Sequence, residues 1–185
     1  MVQFERGERR VYPQGRLLAH VLGVTDIDGR GTAGIERHFE SKLTGGGAPL
    51  QLSIDLRIQA IAHEVLTNTV QEYSALGGTA IVMDANTSEL VAMVSLPDFD
   101  PNRPVEMLGE AGFNRATKGV YEMGSTFKLL TAAMALDSGV VAISGGYDAS
   151  KPIRIARFSI TDYHAKNRWL SVPEILIYSS NIGAA

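Results

Sequence analysis

The stretch Tyr121-Glu122-Met123-Gly124-Ser125-Thr126-Phe127-Lys128 sets a serine directly after a glycine and a lysine three positions on, and an apolar run (Leu129, Leu130, Ala132, Ala133, Met134, Ala135, Leu136) follows it. That run predicts a helix, with Ser125 in its first turn and Lys128 on the same face one turn along. A serine hydroxyl is a poor nucleophile until a base takes its proton. A lysine serves as that base only where burial or a neighbouring cation keeps its amine neutral. The helix N-terminus would favour a developing negative charge and offer the Ser125 N–H to an oxyanion. Ser-x-x-Lys alone is equally the pattern of a serine N-cap followed by a solvated lysine.

A second pattern near the other end changes that balance. Tyr178-Ser179-Ser180-Asn181-Ile182-Gly183 supplies Ser-x-Asn, with Ser179 and Asn181 as its fixed positions. Alone it reads as a turn or helix cap. The two patterns in this order resemble the serine acyl-transfer signature of β-lactamases and penicillin-binding proteins.

The chain resembles a class B penicillin-binding protein, a peptidoglycan D,D-transpeptidase, most like the division-specific FtsI type. The resemblance runs nearly end to end. Arg10-Val11-Tyr12-Pro13-Gln14-Gly15, Ala19-His20-Val21-Leu22-Gly23 and Gly34-Ile35-Glu36 are similar to the part of the family's non-catalytic pedestal nearest the catalytic domain. Leu52-Ser53-Ile54-Asp55-Leu56-Arg57-Ile58-Gln59 resembles the opening of the transpeptidase domain. Leu96-Pro97-Asp98-Phe99-Asp100-Pro101-Asn102 and Asn114-Arg115-Ala116 resemble the approach to the nucleophile. Arg157-Phe158-Ser159-Ile160-Thr161-Asp162-Tyr163-His164 has the look of the division branch.

The resemblance implies an α+β (α-β) fold: the N-terminal part of a penicillin-binding-protein/β-lactamase-like transpeptidase domain, an antiparallel sheet with helices, behind a small pedestal remnant. Residues 1–44 would be that remnant, 45–48 a glycine-rich linker at Gly45-Gly46-Gly47, and 49–185 the transpeptidase part. The linker is shorter than the family's usual connection, as if a segment had been deleted.

Bulk properties agree with an ordinary globular chain. Its 185 residues suffice for one real core, with 45% apolar and 20% charged residues. A net charge of −3 argues against a nucleic-acid-binding surface. There is no cysteine, so no disulfide or thiolate-metal framework. No apolar run approaches the roughly 20 residues that span a bilayer, whereas family members carry an N-terminal membrane anchor. The expected setting is the bacterial inner membrane, facing the periplasm, with the anchor outside this chain.

Helices are expected near residues 15–22, 35–43 and 172–178. Ile54, Ile58, Ile61, Ala62, Val65 and Tyr73, with Leu66 and Val70, predict a helix over 54–74, with Ser53 as N-cap and Asp55 in the first turn. The apolar runs 78–83 and 90–95 around Asp84-Ala85-Asn86-Thr87-Ser88 predict a β-hairpin, apolar on both faces and so interior to a covered sheet. The family generally has glycine where Ser88 stands.

By resemblance, Ser125 attacks the carbonyl between the terminal D-alanines of a peptidoglycan stem peptide, and Lys128 is its general base. Ser179 relays the proton to the departing amine. Asn181 orients Lys128 and holds the substrate amide. A neighbouring stem peptide's amine resolves the acyl-enzyme, β-lactams form a lasting adduct, and no cofactor or metal is called for. Partners would be stem-peptide strands, β-lactams and division-machinery membrane proteins, with no nucleic acid. The family's Lys-Thr-Gly strand is absent from the sequence. That strand supplies the second oxyanion donor and the carboxylate site, so the chain is expected to be a fragment with little or no turnover, open to self-association through an exposed sheet edge.

Other residues have plainer readings. His20, His38, His63 and His164 lack metal-ligand spacing. Asp98 and Asp100 read as loop caps, and Asp55 and Arg57 as structural partners. Met83, Met93, Met123 and Met134 read as core filling. Arg6, Arg9 and Arg10 among Glu5 and Glu8 form a solvated, mixed-charge start. A β-lactamase or β-lactam sensor, or a non-catalytic division scaffold, stands as the alternative.

Overall fold

The computed structural model describes residues 9–185, so Glu5, Arg6 and Glu8 lie outside the described residues. The chain divides into two compact units, one reaching to Val120 and one spanning Tyr121–Ala185.

In the first unit, a single 3-10 turn at Gly15–Leu18 runs into α1 (Ala19–Leu22). Two short helices follow, α2 (Gly34–His38) and α3 (Glu40–Thr44), broken at Phe39. Of the charged start, Arg9 and Arg10 are exposed and each also has a partner: Arg9 donates to the Asn102 carbonyl and Arg10 pairs with Glu36 at 2.7 Å. Asn102 also clamps the Tyr12 backbone, accepting from its N–H (2.9 Å) and donating to its carbonyl (3.0 Å). Ala19, Val24 and Phe99 form the buried cluster beneath.

The long helix α4 spans Leu56–Glu72. Its N-cap is Asp55, which accepts from Arg57 N–H, whereas the Ser53 hydroxyl donates to the Leu90 carbonyl at 2.7 Å. Asp55 and Arg57 do pair, at 2.5 Å. The inward face of α4 is Gln59, Ala62, His63, Leu66, Thr67 and Val70, at three- and four-residue steps. Ile58, Ile61, Val65 and Tyr73 form a second stripe that is exposed.

Strands β1 (Gly78–Met83) and β2 (Leu90–Leu96) make the expected antiparallel hairpin, from Gly78↔Leu96 to Met83↔Leu90. Only β2 is interior. Ala92, Val94, Ser95 and Leu96 are buried, while Ile81, Val82 and Met83 on β1 are exposed. The outer edge of β2 is occupied by Gln59. Its side-chain amide donates to the Met93 carbonyl (2.9 Å) and accepts from the Met93 N–H (2.8 Å), as a neighbouring strand would. The turn is held by Asp84, whose carboxylate accepts from the N–H groups of Asn86 and Thr87. Ser88 completes it at φ +62°, a left-handed conformation. That conformation costs an L-residue about 1–2 kcal/mol. Ser88→Gly is therefore expected to stabilise the unit by about 0.5–1 kcal/mol after glycine's own entropy cost. A raised urea midpoint would bear this out, and an unchanged or lowered one would refute it.

Beyond β2, Asp100 caps its own turn by accepting from Asn102 N–H. Asp98 does not act as a cap; it takes Arg16 (3.3 Å) and His63 (2.7 Å). Helix α5 (Arg115–Lys118) closes the unit, with Asn114 as N-cap.

In the second unit, a 3-10 turn at Gly124–Thr126 leads into α6 (Phe127–Asp137). Three-residue strands follow: β3 (Gly146–Asp148) pairs antiparallel with β6 (Trp169–Ser171), and β4 (Ile153–Ile155) with β5 (Phe158–Ile160). Helix α7 (Val172–Ile177) starts on a reciprocal cap in which Ser171 accepts from Glu174 N–H and the Glu174 carboxylate accepts from Ser171 N–H. Arg168 at 2.7 Å, with the Ser171 contacts, holds the Glu174 carboxyl down to about 2. The four-residue α8 (Asn181–Ala184) ends the chain. A Cβ on Gly183 would come within 2.6 Å of Ile175, so glycine is what lets α8 lie against α7. Ala149, Leu170, Ile175 and Ile182 are the buried core. Met83, Met123 and Met134 are exposed rather than core-filling.

Candidate active site

Gly124 adopts φ +55°, which a residue with a side chain tolerates poorly, and this turns the chain into the 3-10 segment carrying Ser125. Thr126 pins the segment by donating from its hydroxyl to the Met123 carbonyl. One turn on, Lys128 Nζ lies 3.2 Å from Ser125 Oγ.

The Ser-Ser-Asn segment meets the same amine from a different part of the chain. Lys128 Nζ is 2.6 Å from the Ser179 carbonyl oxygen and 3.0 Å from Ser179 Oγ. Ser179 presents both oxygens because its φ is +51°. On one side its N–H donates to Leu176 O (3.1 Å) and the next N–H, of Ser180, to Ile175 O (2.9 Å). On the other side Ser180 caps α8, accepting from Gly183 N–H at 2.9 Å.

Burial lowers the pKa of Lys128, against an upward pull from the Asp162 carboxylate. For Asp162 itself burial acts upward. The Ile182 N–H, the Ser180 hydroxyl, the Asn181 N–H and the Lys128 charge outweigh it, leaving the carboxyl below its ordinary range.

Of the four residues singled out in the sequence, Ser125 and Ser179 thus each contact Lys128. Asn181 is placed otherwise: its side-chain Nδ2 donates to the Thr161 carbonyl at 2.8 Å, so the amide is turned to its own unit's backbone rather than to Lys128. Asp162 is the participant that sequence reasoning did not assign. It accepts from Ser180 Oγ (2.7 Å), Asn181 N–H (2.5 Å) and Ile182 N–H (2.9 Å). The signal available for it was its place in the segment 157–164, which resembles the division branch. A cleft of about 390 Å³ lies behind Lys128, between Thr131, Ala135, Val172 and Ile182; Ser125 does not line it, so it is not where a substrate would meet the nucleophile. Among the described residues no cluster of three or more potential metal ligands occurs.

The sequence profile of the penicillin binding protein transpeptidase domain matches residues 78–185. The chain belongs to the penicillin-binding-protein transpeptidase family. A "Probable peptidoglycan D,D-transpeptidase FtsI" of Caulobacter vibrioides is 42% identical over 100% of this chain and 32% of its own length. "Peptidoglycan D,D-transpeptidase FtsI" of Escherichia coli K12 is 32% identical over 100% of the chain and 35% of its own length. A "Probable peptidoglycan D,D-transpeptidase PenA" of Neisseria gonorrhoeae is 34% identical over 98% and 36%. The chain therefore spans about a third of the length of these relatives, all of them named transpeptidases rather than β-lactamases or sensors. The crystal structure of a peptidoglycan synthetase from Bifidobacterium adolescentis superposes with a TM-score of 0.82, covering 97% of this chain and 37% of that one at 24% identity. That likeness confirms the penicillin-binding-protein fold, with its antiparallel strands and helices.

Proposed function

We propose that this chain carries the nucleophile half of a serine acyl-transfer site that acts on the D-Ala-D-Ala end of a peptidoglycan stem peptide. The observation that carries the reading is the set of contacts around Lys128 Nζ. A neutral amine has two N–H donors and one lone pair. The Ser179 carbonyl can only accept, and Ser179 Oγ accepts the second N–H. With those two contacts kept, loss of the proton that Nζ otherwise donates to Ser125 Oγ at 3.2 Å leaves the lone pair facing that hydroxyl. The lowered pKa of Lys128 favours that neutral form.

In this reading Ser125 Oγ attacks the carbonyl carbon and its proton passes to Lys128. The peptide C–N bond breaks as Ser179 Oγ hands its proton to the departing D-alanine amine and takes in return the proton held by Lys128, which leaves Lys128 neutral and an ester on Ser125. The Ser125 N–H at the helix N-terminus faces the oxyanion. Asn181 holds the substrate amide once its side chain turns from Thr161. The amine of a second stem peptide then attacks the ester carbonyl and gives a proton to Lys128, and the C–O bond to Ser125 breaks as that proton returns to Ser125 Oγ, which leaves the crosslink and the free enzyme.

For the longer protein to which the relatives correspond, we propose septal cell-wall synthesis at the inner membrane, facing the periplasm, alongside division-machinery membrane proteins. No described helix is long and apolar enough to cross a membrane. Residues 1–44 are read as pedestal, 45–48 as linker and 49–185 as transpeptidase. Among the described residues β1 pairs with β2 alone, and its other edge is read as a pairing edge for self-association.

The test is intact-mass spectrometry after incubation with a β-lactam. One adduct per chain is expected, absent from Ser125→Ala. An adduct that survives Ser125→Ala, or no adduct on a chain whose circular dichroism shows it folded, would overturn the reading for this chain.

A further inference from the structure

We infer that Asp162 is a positioning residue for the acylation step, fixing Ser179 in the backbone conformation that turns both of its oxygens onto Lys128. This rests on the acyl-transfer reading above. Ser179 stands at φ +51°, a conformation that costs a residue bearing a Cβ and persists only where its surroundings impose it. The preceding turn restrains it from one side through Ser179 N–H to Leu176 O and Ser180 N–H to Ile175 O. The restraint on the other side is Asp162. One of its oxygens accepts from the N–H groups of Asn181 and Ile182, and the other from the hydroxyl of Ser180. Three consecutive residues after Ser179 are thereby held by one carboxylate.

The partners of Asp162 set its role. Its recorded hydrogen bonds all come from the Ser180–Asn181–Ile182 segment, and among the described residues no arginine or lysine pairs with it at salt-bridge distance. A carboxylate that spends both oxygens on peptide N–H groups and one hydroxyl acts as a clamp on backbone geometry. Thr161, its neighbour in sequence, accepts from Asn181 Nδ2, so residues 161 and 162 together grip the second motif. Without that grip Ser179 can relax toward negative φ, and its carbonyl and hydroxyl would no longer both meet the amine.

The experiment compares Asp162→Ala and Asp162→Asn in the 185-residue chain, using a penicillin as acylating probe. Asparagine keeps an oxygen for the two N–H groups and places an NH₂ against Ser180 Oγ, whereas alanine removes every contact. Asp162→Ala is expected to slow acylation of Ser125 about 100-fold, the scale of an ångström-level misplacement. The loss should fall on the rate at saturating penicillin rather than on the concentration giving half-saturation. Asp162→Asn should recover to within about tenfold of the parent. Amide hydrogen exchange at Asn181 and Ile182 should quicken in Asp162→Ala, and the Lys128 ¹³Cε resonance should move.

Acylation of Asp162→Ala within about threefold of the parent overturns the inference. So does an unmoved Lys128 resonance in a variant that is merely less stable, because Asp162 would then be only a cap for α8. If the unsubstituted chain takes no penicillin, the acyl-transfer reading fails by itself. The Lys128 resonance and the exchange at residues 181 and 182 then decide the clamp without it.

Discussion

Lys128→Met is expected to slow acylation of Ser125 by a β-lactam by about 10²- to 10⁴-fold, the range a positioned general base contributes. Lys128→Arg is the sharper variant. It keeps a cation beside Ser125 and Ser179, but a guanidinium is not deprotonated in a protein and has no lone pair to offer. If Lys128 acts as a base, arginine should be as poor as methionine. If it only supplies positive charge to an oxyanion, arginine should retain most of the rate. The pH profile gives a second handle. A base works in its unprotonated form, so the acylation rate rises with pH through the pKa of Lys128. Burial lowers that pKa, so the rise should begin below the range of an exposed lysine, and both variants should lose it. Acylation rates measured by mass or fluorescence across pH decide the matter. An arginine variant within about tenfold of the parent, with the rise intact, would remove Lys128 from the base role.

The legible part of the site was its local part. Ser125 and Lys128 are three residues apart, and the 3-10 turn Gly124–Thr126 running into α6 brings them together, where the sequence predicted Ser125 in the helix's own first turn. Ser179 reaches the same amine from 51 residues away, which spacing cannot forecast; only the resemblance of the second motif pointed to it. Asp162 escaped because nothing local marks a carboxylate whose partners are N–H groups near the end of the chain. In the first unit, the helix over Leu56–Glu72 and the hairpin were readable from periodicity, but the inward face of α4 was not. Two apolar stripes compete on that helix, and the one the structure turns inward includes the polar Gln59. Apolar counting favours the stripe of Ile58, Ile61 and Val65, because it cannot see that an unpaired strand edge needs an amide. The N-cap slipped for a similar reason. Ser53 and Asp55 are both good caps, and the structure assigns Ser53 to the Leu90 carbonyl.

Gln59→Leu is expected to destabilise the first unit by about 1–3 kcal/mol, although it exchanges a polar residue for an apolar one of similar size at a site only 1% exposed. Burial of the leucine side chain would ordinarily favour such an exchange. Here the loss is on the partner side. The Met93 N–H, which donates to Gln59 Oε1 at 2.8 Å, would be left buried without an acceptor. The carbonyls of Met93 and Leu17, each accepting from Gln59 Nε2, would lose that donor. Leaving such a group unpaired costs its full desolvation, and carbonyls suffer less than an N–H because they keep a second lone pair. The effect should be local, so the diagnostic is residue-resolved hydrogen exchange together with the urea midpoint. The Met93 N–H should lose most of its protection while residues in Tyr121–Ala185 keep theirs. A Gln59→Leu chain with the parent's midpoint and an equally protected Met93 N–H would show that the edge of β2 is satisfied by something other than this side chain.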